Sequence, residues 1–195
     1  MTREEELKRG NPFFAGSQVY LRPLEKTDLN EQYLAWLNDP EVTRYLETGV
    51  FPATRQDLER FFESVTGSRS QVILAIVDKK SDRHIGNVKL GPIDWVHRRA
   101  VFGILIGEKK FWGRGIGQEV THLAVEYAFL RLNLNRVSLG VFAEHKAGVR
   151  CYEKIGFRKE GLCRQDLFRN GEYHDRLLMG LLCAEYLASQ KGRRK

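Results

Sequence analysis

The feature that most limits what this chain can fold into lies near its middle. There an apolar, β-branched stretch, Ala100 to Ile106, runs through Lys109-Lys110-Phe111-Trp112-Gly113-Arg114-Gly115-Ile116-Gly117-Gln118-Glu119 into an amphipathic segment. Val120, Leu123, Ala124, Tyr127 and Ala128 recur at 3,4-type spacing, so a helix begins where the glycines end. The stretch before them has the composition of a buried strand. Strand, glycine turn and helix in direct succession expose the unpaired N–H groups of the helix start, with their positive partial charge. Glycines at every second position let that backbone adopt dihedrals closed to other residues and approach a ligand closely. The arrangement is a cradle for an anion, and a phosphate suits it.

The spacing narrows which phosphate. A dinucleotide-binding turn needs Gly-x-Gly-x-x-Gly, and Gln118 stands where its last glycine would fall. A P-loop needs a Gly-Lys-Ser/Thr ending, which is absent. What remains, Trp112-Gly113-Arg114-Gly115-Ile116-Gly117, resembles the R/Q-x-x-G-x-G/A pyrophosphate loop of the GNAT superfamily of acetyl-coenzyme A-dependent N-acetyltransferases. Trp112 replaces the usual Gln or Arg. In this the loop is similar to the branch that contains the ribosomal-protein N-terminal acetyltransferases and spermidine N-acetyltransferase. A second stretch, Cys151-Tyr152-Glu153-Lys154-Ile155-Gly156-Phe157, is similar to the Y-E-K-x-G-F signature of the same superfamily.

The resemblance implies a set of roles. Trp112, Gly113, Arg114, Gly115, Ile116 and Gly117 would hold the pyrophosphate of acetyl-coenzyme A, with Lys109, Lys110 and Arg114 supplying charge. The backbones of Leu105 and Ile106 would pair with the pantetheine arm as if it were a strand. Tyr152 would protonate the departing thiolate, since a phenol of ordinary pKa about 10 keeps its proton at neutral pH. Its other reading is core packing, because Val149, Tyr152 and Ile155 share helical spacing. Relatives often carry Asn-x-x-Ser ahead of the tyrosine. Here those positions are His145 and Gly148, and His145 takes the pantetheine contact in place of Asn. For the base that deprotonates the acceptor, Glu47, Asp39, Glu41, Glu108, His97 and His145 are all candidates. Glu47 is preferred because it lies in the Asp39 to Phe51 loop, which faces the acceptor in the resembled branch.

Bulk properties set the frame. With 195 residues, 42% of them hydrophobic, the chain can fill one core, and a single N-acetyltransferase domain over residues 1–195, with a core of about 17–183, is expected. Three cysteines, Cys151, Cys163 and Cys183, have no metal-ligand spacing and make no disulfide framework, which points to a reducing compartment and no metal. The charged, helix-prone Met1 to Arg9 contains no apolar core, and no apolar run approaches the ~20 residues of a membrane span, so a cytoplasmic location is expected. Net charge is +7, from 32 basic against 25 acidic residues, part of it in the tail Lys191-Gly192-Arg193-Arg194-Lys195.

Periodicity gives the order. A strand over Val19 to Leu24 leads into a helix starting near Thr27 and Asp28 and closed by Pro40. A second helix opens on a Thr54/Asp57 capping box and buries Leu58, Phe61, Phe62 and Val65. Strands follow at Gln71 to Val77, Arg83 to Leu90 and Arg98 to Ile106, then the glycine turn and long helix. After these come a strand at Arg136 to Phe142, a short helix at Lys146 to Lys154 ended by Gly156, and a hairpin of Arg158 to Phe168 with Tyr173 to Leu182 across Asn170-Gly171. This predicts an α/β fold with a mixed, mostly antiparallel sheet flanked by helices. The resemblance adds a splay between the fourth and fifth strands. The acceptor is a small-molecule or peptide amine: a protein N-terminus, amino-sugar nucleotide, polyamine or other primary amine. A polyamine would demand an acidic pocket, and Arg44 and Arg55 lie close to Asp39, Glu41 and Glu47. A homodimer is left open. The alternatives are a non-catalytic coenzyme A-binding module and a basic protein associated with nucleic acid or ribosome.

Overall fold

Among the described residues eight strands pair into one sheet, and five helices pack around it. The computed structural model describes residues 12–193. The stretch Met1 to Arg9 and the last two residues of the basic tail lie outside the described residues. In chain order the elements are β1 (Phe14–Ala15), β2 (Val19–Pro23), α1 (Glu31–Asn38), α2 (Arg55–Val65), β3 (Val72–Asp78), β4 (Arg83–Asp94), β5 (Arg99–Ile106), α3 (Ile116–Leu130), β6 (Arg136–Phe142), α4 (Lys146–Ile155), β7 (Arg158–Arg169), β8 (Glu172–Leu182) and α5 (Cys183–Arg193). The sheet order is β1-β2-β3-β4-β5-β6-β8-β7. Every neighbouring pair is antiparallel except β5 and β6.

That exception positions the site. β5 and β6 are paired only over Arg99–Val101 and Arg136–Ser138. Beyond these residues β5 continues to Ile106 along β4 and β6 to Phe142 along β8 without pairing to each other, so the two strands diverge toward their C-terminal ends. This is the splay expected between the fourth and fifth strands, now β5 and β6 because the two-residue β1 precedes them.

Period-2 alternation distributes the strand residues to two faces. On one face Ile85, Val88, Leu90, Phe102, Val137, Leu139 and Met179 meet Val120, Ala124, Val125 and Ala128 of α3 and Val149 and Ile155 of α4. On the other, Leu29, Tyr33 and Trp36 pack with Val42 and Leu58, and Tyr20, Ala75 and Val77 lie beside Phe61 and Phe62 of α2. The capping box of α2 is present: Thr54 Oγ1 accepts from Asp57 N–H (3.2 Å) and Asp57 accepts from Thr54 N–H (2.8 Å). The Asn170-Gly171 turn has φ of 53° and 85° and joins Arg169 directly to Glu172, a two-residue hairpin with both central residues left-handed.

Two local expectations are corrected and two elements are added. The first helix starts at Glu31 rather than at Thr27-Asp28, with Asn30 Oδ1 accepting from Tyr33 N–H at 3.0 Å. Asp28 is not free to cap it, because its carboxylate is committed to Arg22. Phe14–Ala15 adds a strand too short to show periodicity; Phe14 is held against Tyr127, ring centroids 5.1 Å apart. β4 extends past Leu90 to Asp94 through a register shift around the cis Gly91-Pro92 bond. Finally, α5 follows β8 with no intervening turn residues, so its start is hidden in one continuous apolar run; Tyr186 buries it.

Candidate active site

At the open end of the splay, the turn between β5 and α3 folds as a nest. Gly113 (φ 72°) and Gly115 (φ 81°) are left-handed, and Gly115 is the N-cap of α3. The first helical bond runs from Glu119 N–H to the Gly115 carbonyl (3.0 Å), so the amides of Ile116, Gly117 and Gln118 precede it and point along the helix axis. The Ile116 side chain itself is buried. Trp112 Nε1 donates to the Ile106 carbonyl (2.8 Å), tying the turn back to the end of β5. Gly107, the next residue, is crossed by α1 so closely that a Cβ there would collide with the Trp36 ring. On the other side, Glu119 accepts from Ser17 Oγ (2.7 Å), Gln18 N–H (2.9 Å) and Val19 N–H (3.2 Å). Burial would raise its carboxyl, yet these bonds hold it below the usual carboxylate range.

The charges around the turn are unequally available. Lys109 reaches both Asp39 (2.8 Å) and Glu41 (2.6 Å), whose contacts raise it above the ordinary lysine value. Lys110 lies 3.8 Å from Glu108. Among the described residues Arg114 has no carboxylate partner and is the free cation of the three.

A comparison within the turn measures how much it depends on backbone shape. Gly115→Ala places a side chain at a left-handed position, costing about 1–2 kcal/mol, although the added Cβ meets only Gln18 Nε2, at 3.9 Å. The expected result is a melting temperature lower by about 2–8 °C and coenzyme A affinity lower by about tenfold. Gly117→Ala, where the backbone is helical and the nearest atom is Ile106 Cδ1 at 3.7 Å, changes neither. Differential scanning fluorimetry and titration calorimetry read both.

The walls of the gap follow from strand alternation. Gly107 N–H donates to the Ile85 carbonyl (2.9 Å), so the backbones of Gly107 and Leu105 face β4 while those of Ile104 and Ile106 face the gap. With the Ile106 carbonyl taken by Trp112, the Ile106 N–H and the Ile104 groups are what β5 offers to a ligand. Leu105 is placed on the other side, its side chain packed against the α1 cluster. Ile104 was not singled out from sequence, and the register of β4 with β5 is the signal that identifies it.

Opposite, α4 begins at His145 and carries Tyr152 two turns later. The His145 ring stacks on Tyr45 (centroids 4.2 Å, 16°), and burial, reinforced by Arg44, depresses its pKa, keeping it neutral. Tyr152 is wedged between Phe102 (6.0 Å) and Phe157 (5.9 Å). Its hydroxyl has no hydrogen-bond partner among the described residues, and burial, then Cys151, raise its pKa far above the ordinary phenol value. The neighbouring Cys151 thiol is also pushed up by burial, the opposite of what an acyl-accepting thiolate needs.

The base candidates separate. Glu47 lies over the end of β6, its Oε1 3.0 Å from Arg176 Nη1; Arg176 is the register partner of Phe142. Asp39 and Glu41 are held by Lys109. Glu108 binds Gln32. His97 lies just before Arg99, at the paired, closed end of β5. Beside the end of β6 is a cavity of about 330 Å³ lined by Arg44, Phe142, Glu144, Arg169, Glu172 and His174. Among the described residues no group of three or more His, Cys, Asp or Glu is arranged to hold a metal ion. Likewise no helix among them is long and apolar enough to cross a membrane.

Comparison with known proteins gives this geometry relatives. Residues 18–158 match the family model described as the acetyltransferase (GNAT) domain. The spermidine N(1)-acetyltransferase of Escherichia coli (strain K12) is 32% identical over 174 residues, covering 89% of this chain and 90% of that protein. The enzyme of the same name from Vibrio cholerae is 30% identical over 174 residues, 88% of this chain and 96% of that one. The crystal structure of spermidine N-acetyltransferase from Vibrio cholerae in complex with CoA and spermine superposes with a TM-score of 0.81 at 30% identity, covering 88% of this chain and 99% of that chain.

Proposed function

This chain belongs to the GNAT acetyltransferase family, and we propose that it moves the acetyl group of acetyl-coenzyme A directly onto a primary amine within one domain whose core spans about residues 17–183. The observation that carries this reading is the coincidence of three features at one end of the sheet. These are the unpaired gap between β5 and β6, the bare N-terminus of α3 at its mouth, and the unengaged hydroxyl of Tyr152 on α4. The coenzyme supplies an activated acetyl thioester. The α3 amides and Arg114 receive its pyrophosphate, the Ile104 and Ile106 backbone lines its pantetheine arm, and His145 closes the opposite side. As the N–C bond forms and the C–S bond breaks, the acceptor's surplus proton passes to a base and Tyr152 gives its own to the sulfur. Glu47 is our choice of base, acting directly or through water from the loop above β6. No acyl-enzyme is required, in keeping with the protonated, buried Cys151. Such an enzyme works in the cytoplasm, where acetyl-coenzyme A is made.

The test is thiol release from acetyl-coenzyme A across N-terminal peptides, spermidine, amino-sugar nucleotides and amino acids, with coenzyme A affinity measured separately. Turnover on at least one class is expected. Coenzyme binding with silence on every acceptor would favour a non-catalytic module, and absence of coenzyme binding would remove the reading altogether.

A further inference from the structure

The relatives from Escherichia coli and Vibrio cholerae are spermidine acetyltransferases, and spermidine is a chain of ammonium groups that needs carboxylates around it. The acceptor side of this protein is arranged differently. Of the three acidic groups in the loop after α1, Asp39 and Glu41 share the single charge of Lys109, and Glu47 shares Arg176 with Asp166 (2.6 Å), so each is tied to a cation. The cation of the same loop, Arg44, has no carboxylate partner among the described residues. Its guanidinium lies 5.1 Å from the Tyr45 ring, beside the Tyr45–His145 stack at the start of α4. The 330 Å³ cavity that Arg44 helps to line also includes Phe142, the last residue of β6, and so lies at the end of one of the two strands that border the gap.

The lining of this cavity is not acidic in effect. Glu144 is matched by His174, whose Nδ1 lies 2.7 Å away and whose pKa that contact raises. Arg169 uses Nη2 on the Leu46 and Thr48 carbonyls, which fixes the loop over the hairpin, while its Nε is buried without a partner. What remains to meet a ligand is the Arg44 guanidinium, the Nη1 edge of Arg169 and one carboxylate with no ion-pair partner among the described residues, Glu172.

We propose that the acceptor of this enzyme is a primary amine carrying an anionic group, a carboxylate or phosphate, which Arg44 and Arg169 hold in this cavity while the amine is turned toward the gap. Guanidinium groups suit either anion, since their forked donors match both geometries. The proposal rests on the acetyl-transfer reading above and adds the charge of the substrate to it.

The experiment compares spermidine with amine carboxylates (free amino acids) and amine phosphates (hexosamine phosphates), in wild type and in Arg44→Gln and Arg44→Glu, with coenzyme A affinity measured in parallel. Arg44 is exposed, so neither variant threatens the fold. Wild type is expected to turn over an anionic amine with kcat/KM at least about tenfold above that for spermidine. Arg44→Gln should raise the KM for that acceptor about tenfold with kcat nearly unchanged, and Arg44→Glu should swing the preference toward spermidine by about a hundredfold. The carboxylate and phosphate arms show which anion fits. A wild type that prefers spermidine, or an Arg44→Gln enzyme with unchanged KM for the anionic acceptor, overturns the proposal while leaving the acetyltransferase intact. Absence of turnover on every amine overturns both.

Discussion

Tyr152→Phe is expected to lower kcat by about 10²- to 10⁴-fold, with the KM for acetyl-coenzyme A within about threefold of wild type. The range corresponds to about 3–5 kcal/mol of transition-state stabilisation. Phenylalanine retains the ring that packs against Phe102 and Phe157, so the substitution removes one unengaged hydroxyl and leaves the surrounding contacts in place. The loss should therefore appear in the chemical step and not in melting temperature. Because burial raises this phenol far above its ordinary pKa, it stays protonated throughout the working range, and the ratio of wild-type to variant rates should be flat between about pH 6 and about 9. Steady-state kinetics across that range measures both. A variant with kcat near wild type would return Tyr152 to the packing role that its spacing with Val149 and Ile155 also permits.

The parts of this architecture that were legible in the sequence are those written locally. The Thr54/Asp57 box, the Asn170-Gly171 turn and the strand–glycine–helix succession each depend on residues within a few positions of one another, and each is present. The site is harder to read because its character depends on who is paired with whom across the sheet. Lys109 looked like a phosphate ligand by proximity to the glycines, but its amine reaches back 70 positions to Asp39. Leu105 and Ile106 are adjacent in sequence and lie on opposite sides of one strand, which only the register with β4 decides. The acids of the loop after α1, set in the sequence against nearby Arg44 and Arg55, are tied in the fold to Lys109 and Arg176 instead. Motifs gave the chemistry to be done; the charge left over at the site required the fold.

The same dependence on distant partners makes Asp28 a residue whose loss should cost the fold heavily. It is 4% exposed and accepts from both ends of the Arg22 guanidinium, 2.6 and 2.7 Å, and from Glu25 N–H at 2.8 Å. His84 lies 3.7 Å away, bonded in turn to Asn87, the register partner of Leu105, so this buried group supports the back of the strand that lines the gap. Asp28→Ala leaves a buried guanidinium unpaired, and the expected cost is about 3–5 kcal/mol, lowering the melting temperature by about 6–20 °C. A second substitution separates charge from packing: with Arg22→Met added, most of the loss should return, because a matched apolar pair needs no counter-ion. The pH dependence has a definite sign. Burial would raise the Asp28 carboxyl, yet its bonds to Arg22 and Glu25 hold it below the usual carboxylate value. The native state therefore binds fewer protons there than the unfolded chain, and this stability is present above about pH 4 and lost below it. His84, depressed chiefly by burial, adds an earlier step, its contribution being complete above about pH 6.5 and declining as the pH falls from there. Urea unfolding of wild type should thus weaken in two stages on acidification, with Asp28→Asn flattening the lower stage. A single stage unaffected by that variant would mean that the Arg22–Asp28–His84 cluster does not govern acid stability.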